Sequence, residues 1–110
     1  MEKMTVTIEV KAQPSKIQEL YQTLQALLLT MRKDKGSLSC NVSRDLEGED
    51  VFFLSSEWDA QGNFEGYIQS GSGSALLGAI DLLGESARVQ IGSNSAWEKI
   101  ETLKRMRMGT

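Results

Sequence analysis

The chain contains no histidine, one cysteine and one proline among its 110 residues, and only 6% of it is aromatic. Without histidine no imidazole can join carboxylates in a transition-metal site, and without a second cysteine there is no CxxC pair, so no metal is expected. A lone cysteine also excludes an internal disulfide; Cys40 reads as a small apolar core residue, and the chain as one suited to a reducing cytoplasm. No stretch of about 18 apolar residues occurs, and Met1-Glu2-Lys3-Met4 runs directly into a strand pattern. The expectation is a protein that is neither secreted nor membrane-spanning. Positive charge is in short supply too: 12 Lys and Arg against 15 Asp and Glu leave a net −3, with no basic field for nucleic acid or an anionic membrane surface. GxGxxG and GxxxxGK[ST] are absent, which removes the phosphate-binding turn of flavin and nicotinamide sites, and no cofactor is expected. The loop acids Glu47, Glu49 and Asp50 lack the spacing of an about twelve-residue calcium loop and read as a solvated turn.

What is present is dense periodicity. Thr5 to Lys11 alternates, with Val6, Ile8 and Val10 on one face. After Pro14 and Ser15, the run Ile17, Leu20, Tyr21, Leu24, Leu27, Leu28, Met31 forms one helical stripe. Arg32, Lys33 and Lys35 suit the negative end of that helix, and Gly36 is the residue expected to stop it in a left-handed conformation. Leu38, Cys40 and Val42 alternate with polar residues. A polar loop then separates them from Val51 to Ser56, and together the two runs predict a hairpin. The third strand is apolar on both faces, Phe52 and Leu54 on one, Val51 and Phe53 on the other, which leaves one pair in water unless a partner subunit covers it.

Asp59 is placed to cap a second helix with Phe64, Tyr67 and Ile68 inward, weakened by Gly62 and Gly66. Gly71-Ser72-Gly73-Ser74 reads as a flexible joint before a helical restart from Ala75 to Leu83. Ala87 to Ile91 is a last alternating strand, and Ala96 to Met108 an amphipathic terminal segment bearing Trp97, Ile100, Leu103 and Arg107. Strand, helix, hairpin, helix, strand with short connections is the ferredoxin-like α+β order, with both helical layers on one sheet face. At 40% hydrophobic, a chain of this length makes one domain over 1–110, with a core of about 4–92 and 93–110 as a C-terminal extension.

Three stretches, Ser55-Ser56-Glu57-Trp58-Asp59, Gly36-Ser37-Leu38-Ser39-Cys40 and Leu76-Leu77-Gly78-Ala79-Ile80, together with the spacing of Trp58, Tyr67 and Ser70, give the chain a likeness. It resembles the antibiotic biosynthesis monooxygenase family from Thr5 to about Ile91, and the segment after Gly92 resembles a tail seen in some members. The resemblance implies a homodimer in which two sheets form an α+β barrel, with a ligand cleft in each subunit between sheet and helices. It further implies an oxygenase acting without metal or flavin on a small aromatic, quinol-type substrate, whose deprotonated form is electron-rich enough to reduce O2. Such a site needs an apolar pocket, a proton acceptor and hydrogen bonds to the substrate oxygens.

Two departures from the family pattern bear on that chemistry. Family sequences often carry histidine nine residues after the tryptophan, where this chain has Tyr67. Many also carry glutamate two residues before it, where this chain has Ser56 and the nearest carboxylate is Glu57. A haem-degrading branch uses an axial histidine and cannot be the model for a chain with none. The expected site therefore pairs Tyr67 and Glu57 as catalytic groups with Trp58, Asn41, Arg44, Phe64 and Leu77 around a small apolar or aromatic ligand. Each has a plainer reading: the aromatics as core, Asn41 and Arg44 as strand surface, and Glu57 as a residue that strand parity turns away from Trp58. The alternative function is a dimeric ligand-binding or interaction module without catalysis.

Overall fold

The computed structural model describes residues 3–48 and 50–109, so Glu49 of the acidic loop lies outside the described residues. The elements run β1 (Met4–Ala12), α1 (Ile17–Arg32), β2 (Ser37–Arg44), β3 (Val51–Trp58), α2 (Gln61–Gln69), α3 (Gly71–Leu83), β4 (Gly84–Ile91), β5 (Trp97–Lys99) and α4 (Glu101–Met108). The strands form one antiparallel sheet in the order β2-β3-β1-β4-β5. Each helical crossover passes over one strand, which is the ferredoxin-like arrangement that the element order predicts.

The helices cover one face of the sheet. Val6, Ile8 and Val10 of β1 and Phe52, Leu54 and Trp58 of β3 are buried beneath them, as are Leu20, Leu24, Leu28 and Met31 along the α1 stripe. Side chains of this size contribute about 1.5–3 kcal/mol each when fully buried, so this layer dominates the stability of the fold. Arg32, in the last turn of α1, ties that helix to the sheet edge by donating from Nε and Nη2 to the Cys40 carbonyl at 3.3 and 3.2 Å. Among the described residues no helix is long and apolar enough to cross a membrane.

Five local expectations are corrected by packing. Gly71 to Ser74 is not a joint but the first turn of α3, capped by Ser70, whose hydroxyl accepts from the Gly73 N–H at 3.2 Å. Gly73 is glycine because a Cβ there would run into the Tyr67 and Ile68 carbonyl oxygens at the end of α2. Asp59 does not cap α2: Ala60 holds that position without a side-chain bond, while Asp59 Oδ1 accepts from Asn63 Nδ2 at 2.6 Å. Gly36 has the expected positive φ of 81°, but it lies in the turn into β2, past the end of α1 at Arg32. The terminal segment is not one amphipathic element, since Trp97–Lys99 adds a fifth strand to β4 before α4 begins. Trp97 is held there by the Arg88 guanidinium, 4.3 Å from its ring centroid.

The fifth correction bears on function. In β2, Ser37 pairs with Trp58 and Ser39 with Glu57, so Leu38 is an extra residue in a β-bulge. A bulge resets which face each side chain takes. Leu38, expected in the core, is 50% exposed, and Ser37 takes the inward place beside Trp58.

Candidate functional site

Trp58 ends β3 on the covered face, and α2 lays Phe64 and Tyr67 against it. The Trp58 ring centroid is 5.6 Å from each of theirs, at 65° to Phe64 and 40° to Tyr67. Phe64 and Tyr67 are three residues apart on the helix, which puts both on its inward side. All three rings are sealed from solvent, none more than 1% exposed. Ser56, where the family pattern often has glutamate, is buried and holds the indole in place. Its Oγ accepts from Trp58 Nε1 at 3.0 Å and donates to the Val6 carbonyl at 3.4 Å. The one polar atom of Trp58 is thereby used within the protein, and the indole presents only its apolar surface to its neighbours.

Tyr67 differs from Trp58 in this respect. Its hydroxyl is buried without a hydrogen-bond partner, and Ser37 Oγ is the other such side-chain atom among the described residues. Burial pushes the Tyr67 phenol up to about 12, and negative charge at Asp34 and Cys40 adds to the effect. Tyr67 is therefore a neutral phenol at ordinary pH, fitted to donate a hydrogen bond and unfitted to act as a base. The Cys40 thiol is also pushed up by burial, against the pull of Arg32 and Ser37 toward the thiolate. Ser37 is near enough to favour a charged sulfur but does not bond the neutral thiol, which donates weakly to the Leu28 carbonyl at 3.8 Å.

The remaining expected residues lie elsewhere. Glu57 points to the opposite face of the sheet from Trp58, accepting from Ser39 Oγ at 3.0 Å. With Asn41, Thr5 and Ser55 it lines an open depression of about 350 Å³ on that uncovered face. Within one protomer the sheet itself separates Glu57 and Asn41 from Tyr67. Arg44 is opposite Phe52, six residues or about 20 Å along β3 from Trp58, with its guanidinium 5.2 Å from the Phe52 ring centroid. Leu77 is buried but borders a different depression, between α3 and α4, with Gly78, Asp81 and Lys104. The structure thus brings together Trp58, Phe64 and Tyr67 from the expected set and disperses the other four.

Sequence reasoning missed Asp34, whose charge raises the Tyr67 phenol, and Ser37, which pairs with Trp58. Asp34 sits among cationic residues at the end of α1 and gave no separate signal. Ser37 was hidden by the bulge, which leaves no mark in the alternation of Leu38, Cys40 and Val42. No group of three or more His, Cys, Asp or Glu side chains converges as a metal site among the described residues.

The cover over the aromatic cluster is fastened by the C-terminal helix. Arg107 Nη1 donates to the Ile68 and Ser70 carbonyls at 3.2 and 3.0 Å, and Gln69 Nε2 donates to the Met106 carbonyl at 3.0 Å. The bond to Ile68 satisfies a carbonyl that the break between α2 and α3 leaves open.

The sequence pattern of the antibiotic biosynthesis monooxygenase family matches residues 4–75, from β1 into the first turn of α3. No curated protein matches the chain. Among solved structures, the Pseudomonas aeruginosa protein PA3566 superimposes with a TM-score of 0.78 at 17% identity, over 87% of this chain and 97% of its own. Rv0793 from Mycobacterium tuberculosis gives 0.77 at 14% identity, over 86% and 97%. A candidate antibiotic biosynthesis monooxygenase from Deinococcus radiodurans gives 0.77 at 18% identity, over 84% and 93%. At these identities the likeness establishes a shared fold.

Proposed function

Because the chain belongs to the antibiotic biosynthesis monooxygenase family, we propose that it is a cofactor-independent oxygenase of a small aromatic, quinol-type compound bound between the sheet and α2. The observation that carries this reading is the Tyr67 hydroxyl, buried, unpartnered and held neutral beside the face of Trp58. A neutral phenol in an apolar surrounding is a strong donor to a substrate oxyanion, and it stabilises the anion that must form before O2 can be reduced. For an anthrone-type substrate the balance closes without an added reductant. The ring CH2 becomes C=O, one oxygen atom enters the product and the other leaves as water, with all four electrons drawn from the substrate. Admission requires α2 to lift from the sheet, which breaks the Asn63–Asp59 bond at its start and the bonds to α4 at its end.

The placement of Glu57 behind the sheet and the lack of histidine favour a second reading, a binding module that holds an aromatic ligand without oxidising it. Oxygen uptake by purified metal-free protein with a panel of quinols and hydroxyanthrones separates the two. The oxygenase consumes O2 with at least one member of the panel, whereas the module binds members without consuming any.

The protein is further proposed to work in the cytoplasm as a homodimer joined through the uncovered sheet face. Val51, Phe53 and Trp97 are only half-buried in the single chain, and Val51 and Phe53 face away from the helices. Phe53→Lys places an unpaired charge in that interface and is expected to shift the protein from dimer to monomer at micromolar concentration. Sedimentation velocity is the check, and a variant that stays dimeric places the interface elsewhere.

A further inference from the structure

We propose that Ser37 is a second polar anchor of the site, acting with Tyr67 to hold the oxygen-bearing edge of an aromatic ligand. The inference rests on the functional reading above for the position of the ligand and adds the residue that selects for its oxygens. Its first support is the bulge at Leu38. A regular β2 would turn Ser37 outward, but the extra residue places it opposite Trp58 on the covered face. Bulges are over-represented beside active sites, where they re-aim a side chain. Second, the turned-in hydroxyl is buried and makes no hydrogen bond in the folded chain, its nearest polar influence being the weak acceptor Cys40 Sγ, a state that buried polar groups rarely keep without a further partner.

Third, the two unpartnered hydroxyls belong to one neighbourhood. Ser37 pairs with Trp58, and Tyr67 packs on the same indole. Gly36, the residue before Ser37, approaches Asn63 and Asp59 so closely that any Cβ there would collide with their side chains. Asn63 lies one helical turn before Tyr67 on the same side of α2. Cys40 is linked to both hydroxyls, since Ser37 favours its thiolate and its charge in turn raises the Tyr67 phenol. One hydroxyl comes from the sheet and the other from the helix, with Trp58 between them as an apolar platform. A flat ring that enters as α2 lifts and replaces the present packing on that indole, with its oxygens toward the two hydroxyls, satisfies both at once.

The test is binding, read without turnover. Affinities of 1-naphthol and of its oxygen-free counterpart naphthalene are measured by titration calorimetry for the wild type, Ser37→Ala and Ser37→Thr, together with melting of the ligand-free proteins. Loss of one neutral hydrogen bond is expected to weaken 1-naphthol by about 3- to 10-fold in Ser37→Ala. Naphthalene affinity is expected to hold within about twofold, since it makes no hydrogen bond to lose. Ser37→Thr keeps the hydroxyl and should restore the preference. Ligand-free Ser37→Ala should melt at or above the wild-type temperature, because an unpartnered buried hydroxyl has been removed. The proposal is overturned by an equal effect on both probes, by no binding of 1-naphthol to the wild type, or by a lower melting temperature of ligand-free Ser37→Ala. A protein with this selectivity and no oxygen uptake would sink the oxygenase reading alone, whereas turnover with unchanged selectivity in Ser37→Ala would sink only the anchor.

Discussion

Tyr67→Phe protein is expected to bind a turned-over substrate within a few-fold of the wild-type affinity while losing turnover by at least about 100-fold, the usual cost of removing one donor to a developing oxyanion. The substitution takes away only the hydroxyl, so the packing of the ring on Trp58 is kept. Stability at neutral pH should stay level or rise slightly, because the lost group has no partner. Alkaline pH gives an independent signature. The phenol is raised from its ordinary 10.0 to about 12 in the folded protein, so between those values the unfolded chain sheds the proton first. Fewer protons on the unfolded state mean that stability falls as pH rises through this window, by roughly 2–3 kcal/mol in all. Below the window the contribution is present in full. Denaturant titrations of both proteins from pH 9 to 12 should therefore diverge, the wild type falling progressively below Tyr67→Phe, which lacks the step. An alkaline profile shared by the two proteins would show that Tyr67 is not sealed in this way.

Gly73→Val is expected to lower stability by roughly 3 kcal/mol, the upper end for overpacking, because the clashing atoms are backbone carbonyls that cannot step aside. For a domain of this size that corresponds to a melting temperature about 10–20 °C lower. Gly78→Ala, on the same helix but with nothing within 4 Å of the new Cβ, is expected to gain about 0.5–1 kcal/mol from the reduced freedom of the unfolded chain. The opposite signs at two glycines five residues apart test the seating of α3 on the end of α2. A Gly73→Val protein that melts with the wild type would mean that the two helices do not meet as described.

How far the sequence alone could lead is decided element by element. The stripe from Ile17 to Met31 and the alternation of Val6, Ile8 and Val10 announce α1 and β1 because each buries one face against a single layer, and periodicity records that directly. The inward set Phe64, Tyr67 and Ile68 is legible for the same reason. Gly71 to Ser74 is not, since its helical state depends on Ser70 as a cap and on the fit of Gly73 against α2, neither of which composition expresses. β5 spans three residues, too few to show a period, and exists because β4 offers an edge. The site followed the same division. Trp58 and Tyr67 were singled out by the family likeness that their spacing carries, but a bulge that inserts one residue leaves no trace in a single sequence, so Ser37 stayed hidden. The separation of Glu57 from Tyr67 was readable from strand parity alone.

The central claim, oxygenation driven by the substrate's own electrons beside Tyr67, is tested most directly with isotopic oxygen. Metal-free and flavin-free protein is supplied with 18O2 and the hydroxyanthrone or quinol from the panel that gives the fastest oxygen uptake, with a chelator present, and the product is analysed by mass spectrometry. The account predicts one 18O atom per product molecule, formed at a chelator-independent rate that Tyr67→Phe lowers by at least about 100-fold. No oxygen uptake with any panel member, a product carrying only oxygen from water, or full activity in Tyr67→Phe would contradict it.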